Sequence, residues 1–265
     1  MKKMKKIITL LLGILILCSC SGSGKGSDEG KSELDLIKEK GKITVAMEGT
    51  WSPFTYHDES GALVGYDVEV AKYIADYIGV DVEYIEGEWD GLLMGVESGR
   101  YDMLVNGCDI TDERKQTYDF SDPYAYSSIV VVVRDDYDEI KTMEDLKGKN
   151  TANTISSSYA QIAESYGATV TGIDDFIQTI ELLKAGRVDA TLNDVGTYGD
   201  YLNTNGGEGL KIACYYPEVS PLGIPMKKGS TELVKAVNEA LAKAREDGTL
   251  SALSVKYFGI DITNK

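Results

Sequence analysis

An α/β protein of two related lobes, with sheets rich in parallel strands, is the fold class this sequence predicts. Three features of the chain predict it. From residue 43 onward, short β-branched runs alternate with helical patterns, the rhythm of βαβ units. Segment 99–106 (GRYDMLVN) matches segment 186–193 (GRVDATLN) at four of eight positions, each after an amphipathic helix pattern. Residues 129–133 (IVVVV) are apolar throughout, the mark of a strand covered on both faces. A single large sheet is the alternative reading of the same rhythm.

The first residues read as an address. Residues 1–6 form a basic head and residues 7–17 an apolar run of signal-peptide length, ending in Leu17-Cys18-Ser19-Cys20. A cysteine after a small residue, in place of a small-x-small cleavage site, resembles the lipobox of bacterial lipoproteins and implies lipidation of Cys20. Cys18 departs from the Ala, Ser or Thr usual at its place. Residues 1–19 are therefore expected to be a lipoprotein signal peptide, and the Gly/Ser-rich stretch up to residue 31 a flexible tether. The expected location is extracytoplasmic, attached to the cell membrane at one end.

Strands and helices then follow in order. Residues 43–47 read as a strand. Ala71, Ile74, Ala75 and Ile78 recur at i, i+3, i+4 and i+7, one face of a helix closed by Gly79. Residues 81–85 form the next strand; Trp89, Leu92, Leu93 and Val96 mark a second helix face ending at Gly99, and 101–106 is again a strand. The second half repeats this with a strand near Thr151, a helix from Ser158, a strand at 168–171, a helix at 176–185 and a strand at 188–193. Crossovers between the lobes are expected near 124–127 and 216–221. A last helix carrying Leu233, Val237, Ala240, Leu241 and Ala244 is expected to return to the first lobe. The lobes would then be 32–124 plus 218–265, and 125–217.

Composition excludes several functions. Beyond residue 19 the chain has 23 basic and 43 acidic residues, a net charge of −20, which repels phosphate backbones and argues against nucleic-acid partners. His57 is the only histidine, so His-rich metal sites and histidine triads are not expected. It lies in a Gly/Asp-containing turn and is expected at the surface. No metal or cofactor is predicted. Cys108 and Cys214 stand 106 residues apart in no CxxC spacing and read as separate, partly buried thiols.

Ligands of open α/β sheets sit beyond the carboxyl ends of strands. After one such strand come Asn106, Gly107, Cys108 and Asp109, with Arg114 close behind; after its counterpart, which ends at Asn193, comes Asp194. Arg114 has the planar fork that grips a carboxylate, or is an ordinary surface arginine. Ser156, Ser157 and Ser158 precede a helix pattern, where backbone N–H groups attract an anion or are simply capped. Glu48, Asp109 and Asp194 would surround one arginine with acid and attract cations. Trp51 and Trp89 are the only tryptophans; their flat faces suit a ligand side chain or the core.

Glu48-Gly49-Thr50-Trp51-Ser52-Pro53-Phe54, Gly65-Tyr66-Asp67, Glu88-Trp89-Asp90, segment 109–114 (DITDER), segment 119–124 (DFSDPY), segment 246–250 (EDGTL) and Lys256-Tyr257-Phe258-Gly259 together resemble the polar amino-acid-binding proteins of ABC importers. The likeness runs from about residue 32 to the end. Its cystine-binding branch is the most similar, through Glu-Gly-Thr before an aromatic, Trp-Asp-Gly and Asp-Glu-Arg-Lys. Asp109 departs from that branch, which usually has Thr or Ser there. The resemblance implies the type II periplasmic-binding-protein fold, with two hinge crossovers and a ligand cleft between the lobes. It places Arg114, Ser157 and Ser158 at the ligand carboxylate, Asp194 at its ammonium, and Trp51 and Trp89 around its side chain. Asp109 would strengthen ammonium binding or accept from a basic side chain, and Glu48 raises the same choice. Tyr66 and Tyr159 are candidate rim contacts, and Thr111 a support for Arg114. The implied function is a monomeric, lipid-anchored receptor passing an amino acid to an ABC permease. A ligand-sensing domain and a dehydratase or lyase on the same scaffold are the alternatives; no enzyme is expected.

Overall fold

Residues 30–206 and 208–265 are described by the structure, a computed structural model. The leader, Cys20 and most of the tether lie outside the described residues. Helix α1 (Glu33–Lys40) opens on a capping box in which Ser32 and Asp35 exchange hydrogen bonds. There follow β1 (Lys42–Met47), β2 (Tyr56–His57), β3 (Leu63–Val64), α2 (Tyr66–Ile78), β4 (Asp81–Glu86), α3 (Trp89–Glu97) and β5 (Met103–Leu104). A single turn α4 (Arg114–Thr117) and β6 (Tyr118–Phe120) lead to the long β7 (Ala125–Arg134). Next come β8 (Asn150–Asn153), α5 (Ser158–Ser165), β9 (Thr169–Gly172), α6 (Phe176–Lys184), β10 (Thr191–Asp194), α7 (Val195–Asn205) and β11 (Leu210–Leu222). The chain closes with β12 (Pro225–Lys227), α8 (Thr231–Glu246) and α9 (Thr249–Phe258).

One sheet has the order β4-β1-β5-β12-β6. Its β1 runs parallel to β4 and β5, while β12 is antiparallel to β5 and β6. The other lobe repeats this pattern of directions. There β8 is parallel to β9, a parallel bridge Thr151↔Ala190 ties it to the entry of β10, and β7 is antiparallel to both β10 and β11. The apolar run at 129–133 thus forms an antiparallel strand, although the alternation predicts mostly parallel ones. It enters directly from the other lobe and not through a helix, so no crossover forces it parallel.

Strand β7 is buried on both faces, as its composition predicts. Ile129, Val131 and Val133 pack into one cluster, Val130 and Val132 into another. Each such side chain contributes about 1.5–3 kcal/mol by leaving water. In the first lobe α8 buries Leu233, Val237, Ala240, Leu241 and Ala244 in the same cluster as Ile43, Val45, Ile74 and Met103. The two passages between lobes lie side by side, because β7 and β11 pair as Ala125↔Leu222, Ser127↔Ser220 and Ser128↔Val219. Cys108 is buried, Cys214 half-buried, and neither forms a disulfide.

Candidate functional site

The carboxyl ends of β1 and β5 face those of β8 and β10 across a cavity. About 650 Å³ of space lies between its walls, part of it open to solvent. The first lobe supplies Glu48, Thr50 and Trp51 from the loop after β1, Asn106, Gly107 and Asp109 after β5, Trp89 at the start of α3, and Arg114 on α4. The second supplies Asn153 and Thr154 at the end of β8, Ser157, Ser158 and Tyr159 at the start of α5, Asp174 and Phe176 around the start of α6, and Asn193 on β10.

Asn106 organises the acidic side. Its Oδ1 accepts from the Glu48 backbone N–H at 2.8 Å, and its Nδ2 donates to Glu48 Oε2 at 2.7 Å. Burial pushes the Glu48 carboxyl up to about 7; the Asn106 bond opposes this, and the nearby Glu88, Asp174 and Asp175 add to it. Beneath lies Asp67, whose Oδ2 accepts from Gly107 N at 2.7 Å and whose Oδ1 accepts from the Tyr124 hydroxyl at 2.8 Å. Burial raises Asp67 to about 7 despite those two donors. Gly107 is required where it stands: its φ is +51°, and a Cβ would lie 2.5 Å from the Trp51 ring.

Arg114 is buried, at 9% exposure. Thr111 Oγ1 accepts from its backbone N–H at 3.1 Å, the supporting role the sequence suggests. The guanidinium lies 5.2 Å from the Trp89 ring centre, a cation–π distance. Its Nη1 donates to the Asp109 carbonyl at 3.2 Å, and its Nη2 crosses to the Ser156 carbonyl at 3.3 Å. Trp89 packs with Ala46, Leu92 and Val96 and also lines the cavity. Its indole N–H is buried without a hydrogen-bond partner among the described residues.

Trp51 stacks on Phe54 with ring centres 4.2 Å apart, and its Nε1 donates to Asn193 Oδ1 of the other lobe at 3.3 Å. Other hydrogen bonds cross the same gap: Ser156 to Asp90, Ser158 to Asp109, and Gln161 to Glu113. At the hinge side Phe258 packs edge-on to Phe54 and so near Gly196 that a Cβ there would meet its ring at 2.5 Å. The lobes are closed on one another.

Two lobes joined by two crossovers, with such a cavity between them, are matched by known proteins. Residues 43–260 match the family model of the bacterial extracellular solute-binding proteins, family 3. The chain belongs to this family. The L-cystine-binding protein TcyA of Bacillus subtilis is 42% identical over 228 residues, which cover 86% of this chain and 85% of that protein. Among solved structures, an ancestral arginine-binding protein bound to arginine matches with a TM-score of 0.77 and 38% identity, covering 83% of this chain and 99% of that one. The L-cystine solute receptor of Neisseria gonorrhoeae, in its unliganded open conformation, matches with a TM-score of 0.60 at the same 38% identity, covering 89% of this chain and 100% of that one. The fold of this family 3 protein is the two-lobed type II periplasmic-binding-protein fold.

Within that frame the cavity wall gathers nine of the ten residues expected to touch the ligand directly, apart from the rim and supporting candidates: Glu48, Trp51, Trp89, Asn106, Gly107, Asp109, Arg114, Ser157 and Ser158. Asp194 is the exception. It caps α7, accepting from Gly196 N at 2.7 Å, and its other oxygen accepts from Ser127 Oγ on the crossover at 2.5 Å. Burial raises its pKa to about 6. The neighbouring Asn193 reaches the cavity in its place. Ser157 likewise caps α5, accepting from Ala160 N at 3.1 Å.

Tyr66 is no rim contact. It is fully buried in the first lobe, stacked on Tyr124 and donating to the Tyr124 carbonyl at 3.3 Å. Tyr159 does line the cavity. His57 is exposed, as its turn suggests, with Nδ1 3.2 Å from the Gly49 carbonyl and Nε2 3.4 Å from Glu86. Sequence reasoning missed Asn153, Thr154, Asp174, Phe176 and Asn193. Asn153 ends a strand and Thr154 follows it, so the carboxyl-end rule reaches them; in the sequence Phe176 reads only as part of a helix.

Proposed function

We propose that this family 3 protein is an extracytoplasmic, lipid-anchored receptor that captures cystine or another polar amino acid and delivers it to an ABC permease. The observation that carries this reading is the closed cavity with one buried arginine on an otherwise acidic wall. Arg114 and the first turn of α5 receive the α-carboxylate: a guanidinium pairs with it in a fork, and backbone N–H groups at a helix start favour an anion. The cation faces Glu48 and Asp174. Trp51, Trp89 and Phe176 offer flat apolar surfaces for the side chain. Cystine has the support of TcyA and of the gonococcal receptor; the arginine-bound neighbour keeps basic amino acids in view.

Binding and closure are one equilibrium in this reading. A ligand that touches both walls favours the closed population by its differential affinity for that form. The hinge lies in the paired crossovers, between 32–124 plus 218–265 on one side and 125–217 on the other, and the permease reads the closed shape. Cys20 carries the lipid. A thermal-shift screen of the chain from Ser21 onward, against the amino acids, cystine and small amines, tests this. A specific rise with cystine or another polar amino acid is expected; a flat screen would remove the reading.

A further inference from the structure

The two groups assigned to a ligand carboxylate already face one that belongs to the chain. Ser158 Oγ donates to Asp109 Oδ2 across the cleft, and Arg114 Nη1 stands 4.0 Å from the same oxygen. Asp109 is only 7% exposed, and its Oδ1 is buried without a hydrogen-bond partner among the described residues. Its backbone is pinned: Asp109 bridges Leu222, and Ile110 N donates to the Pro221 carbonyl at 2.9 Å. The side chain can rotate, but the loop holds it at the cavity wall.

We propose that Asp109 is a built-in surrogate for the ligand carboxylate, occupying the anion site between Arg114 and Ser158, holding the empty lobes together and yielding the site when an amino acid binds. This rests on the reading of the cavity as an amino-acid site and adds a regulation to it. Two carboxylates cannot share one guanidinium and one hydroxyl away from water without strong repulsion. An arriving α-carboxylate therefore expels Asp109 from the site or meets it protonated.

The surroundings make protonation accessible. Burial raises the Asp109 pKa, while the Ser158 hydroxyl on α5, the Arg114 guanidinium on α4 and the Ser220 hydroxyl on β11 pull it down. The adjoining Cys108 thiol, Tyr159 on α5 and Asp194 at the start of α7 also face it. Of the two forms the neutral one yields the site at less cost, so amino-acid binding favours proton uptake at Asp109 and its part in the affinity rises as pH falls. Glu48 and Asp194, raised to about 7 and about 6, titrate nearby. The effect of Asp109 is thus read as the difference between the unchanged chain and variants that cannot ionise there.

Asp109→Asn and Asp109→Ser, in the chain from Ser21 onward, are titrated calorimetrically with L-cystine and with L-arginine at about pH 5.5 and about pH 8. X-ray scattering without ligand is recorded alongside, and thermal melting establishes that each variant is folded. Both variants are expected to bind about tenfold tighter than the unchanged chain at the higher pH. The gap narrows at the lower pH, and the unliganded variants show a larger radius of gyration. Weaker binding by both variants would make Asp109 a ligand holder and overturn the proposal, as would an unchanged radius of gyration. If neither amino acid binds any of the three proteins, the cystine and arginine readings of the site fail, and the scattering alone decides whether Asp109 latches the lobes.

Discussion

The first lobe meets the cavity with Glu48, Trp51, Trp89, Asp109 and Arg114, and the second mainly with Asn153, Thr154, Ser157, Ser158 and Asn193. The strand directions in the two lobes are alike, yet the first wall carries the arginine and both tryptophans, while the second is mostly hydroxyls and amides, with Asp174, Tyr159 and Phe176 among them. The charged wall is assembled within its own lobe: Asn106 holds Glu48, Asp67 holds Gly107, and Thr111 supports Arg114. The polar wall is built from helix starts and strand ends whose groups reach the cavity only when the lobes meet. In the proposed function the first wall discriminates among ligands and the second rewards closure. Substitutions on the first should therefore change which compound binds; those on the second should change mostly the closing equilibrium.

The largest effect expected of that division is at Arg114. Arg114→Ala should weaken amino-acid binding by about 3 kcal/mol, roughly 100-fold, in titration calorimetry, because it leaves a carboxylate unpaired away from water. A similar loss from Ser157→Ala would erase the distinction between the walls. Next comes Gly107→Ala, which places a methyl group 2.5 Å from the Trp51 ring at a φ of +51°. It should displace Trp51 and cost about tenfold in affinity while the fold persists, as circular dichroism would show.

Acid burial supplies a pH test of the first lobe. Glu48 and Asp67 are both raised to about 7, so between their unfolded values and about pH 7 the folded form holds more protons than the unfolded one. Their stabilising contribution is complete below the unfolded pKa and is lost as pH rises through 7. Without ligand, the melting temperature should fall by a few degrees from about pH 5 to about pH 8. Asp67→Asn should flatten that slope, and a slope left unchanged would remove Asp67 from the account. In the second lobe, Ser157→Ala should cost about 1 kcal/mol of stability through the lost cap of α5, read by chemical denaturation. Asn193→Ala removes the acceptor of the Trp51 indole and should cost about 0.5–1.5 kcal/mol, seen as weaker binding.

Much of the framework is legible in the chain, and the gaps have physical causes. Strands β1 and β4 and helices α2 and α3 follow the apolar spacing closely. The direction of β7 is not legible, since an apolar run reads the same in either sense and its partners lie far away in sequence. Helix α7 escapes because its segment holds two glycines and two asparagines; the buried Tyr198 and Tyr201 hold it in place. That omission also hides the capping role of Asp194, which the resemblance presents only as a ligand group. Arg114 and the tryptophans come from motif resemblance. The pairing of Asp109 with Ser158, 49 residues apart, required the folded lobes.

The claim beneath all of this is that Arg114 receives a carboxylate. The most direct measurement is titration calorimetry of the unchanged chain and of Arg114→Ala, each with L-cystine and with cystamine, the same disulfide lacking its carboxylates. The unchanged chain should prefer cystine by about 100-fold or more, and the variant should lose that preference. A preference that survives the loss of Arg114, or cystamine bound as tightly as cystine by the unchanged chain, would contradict the account.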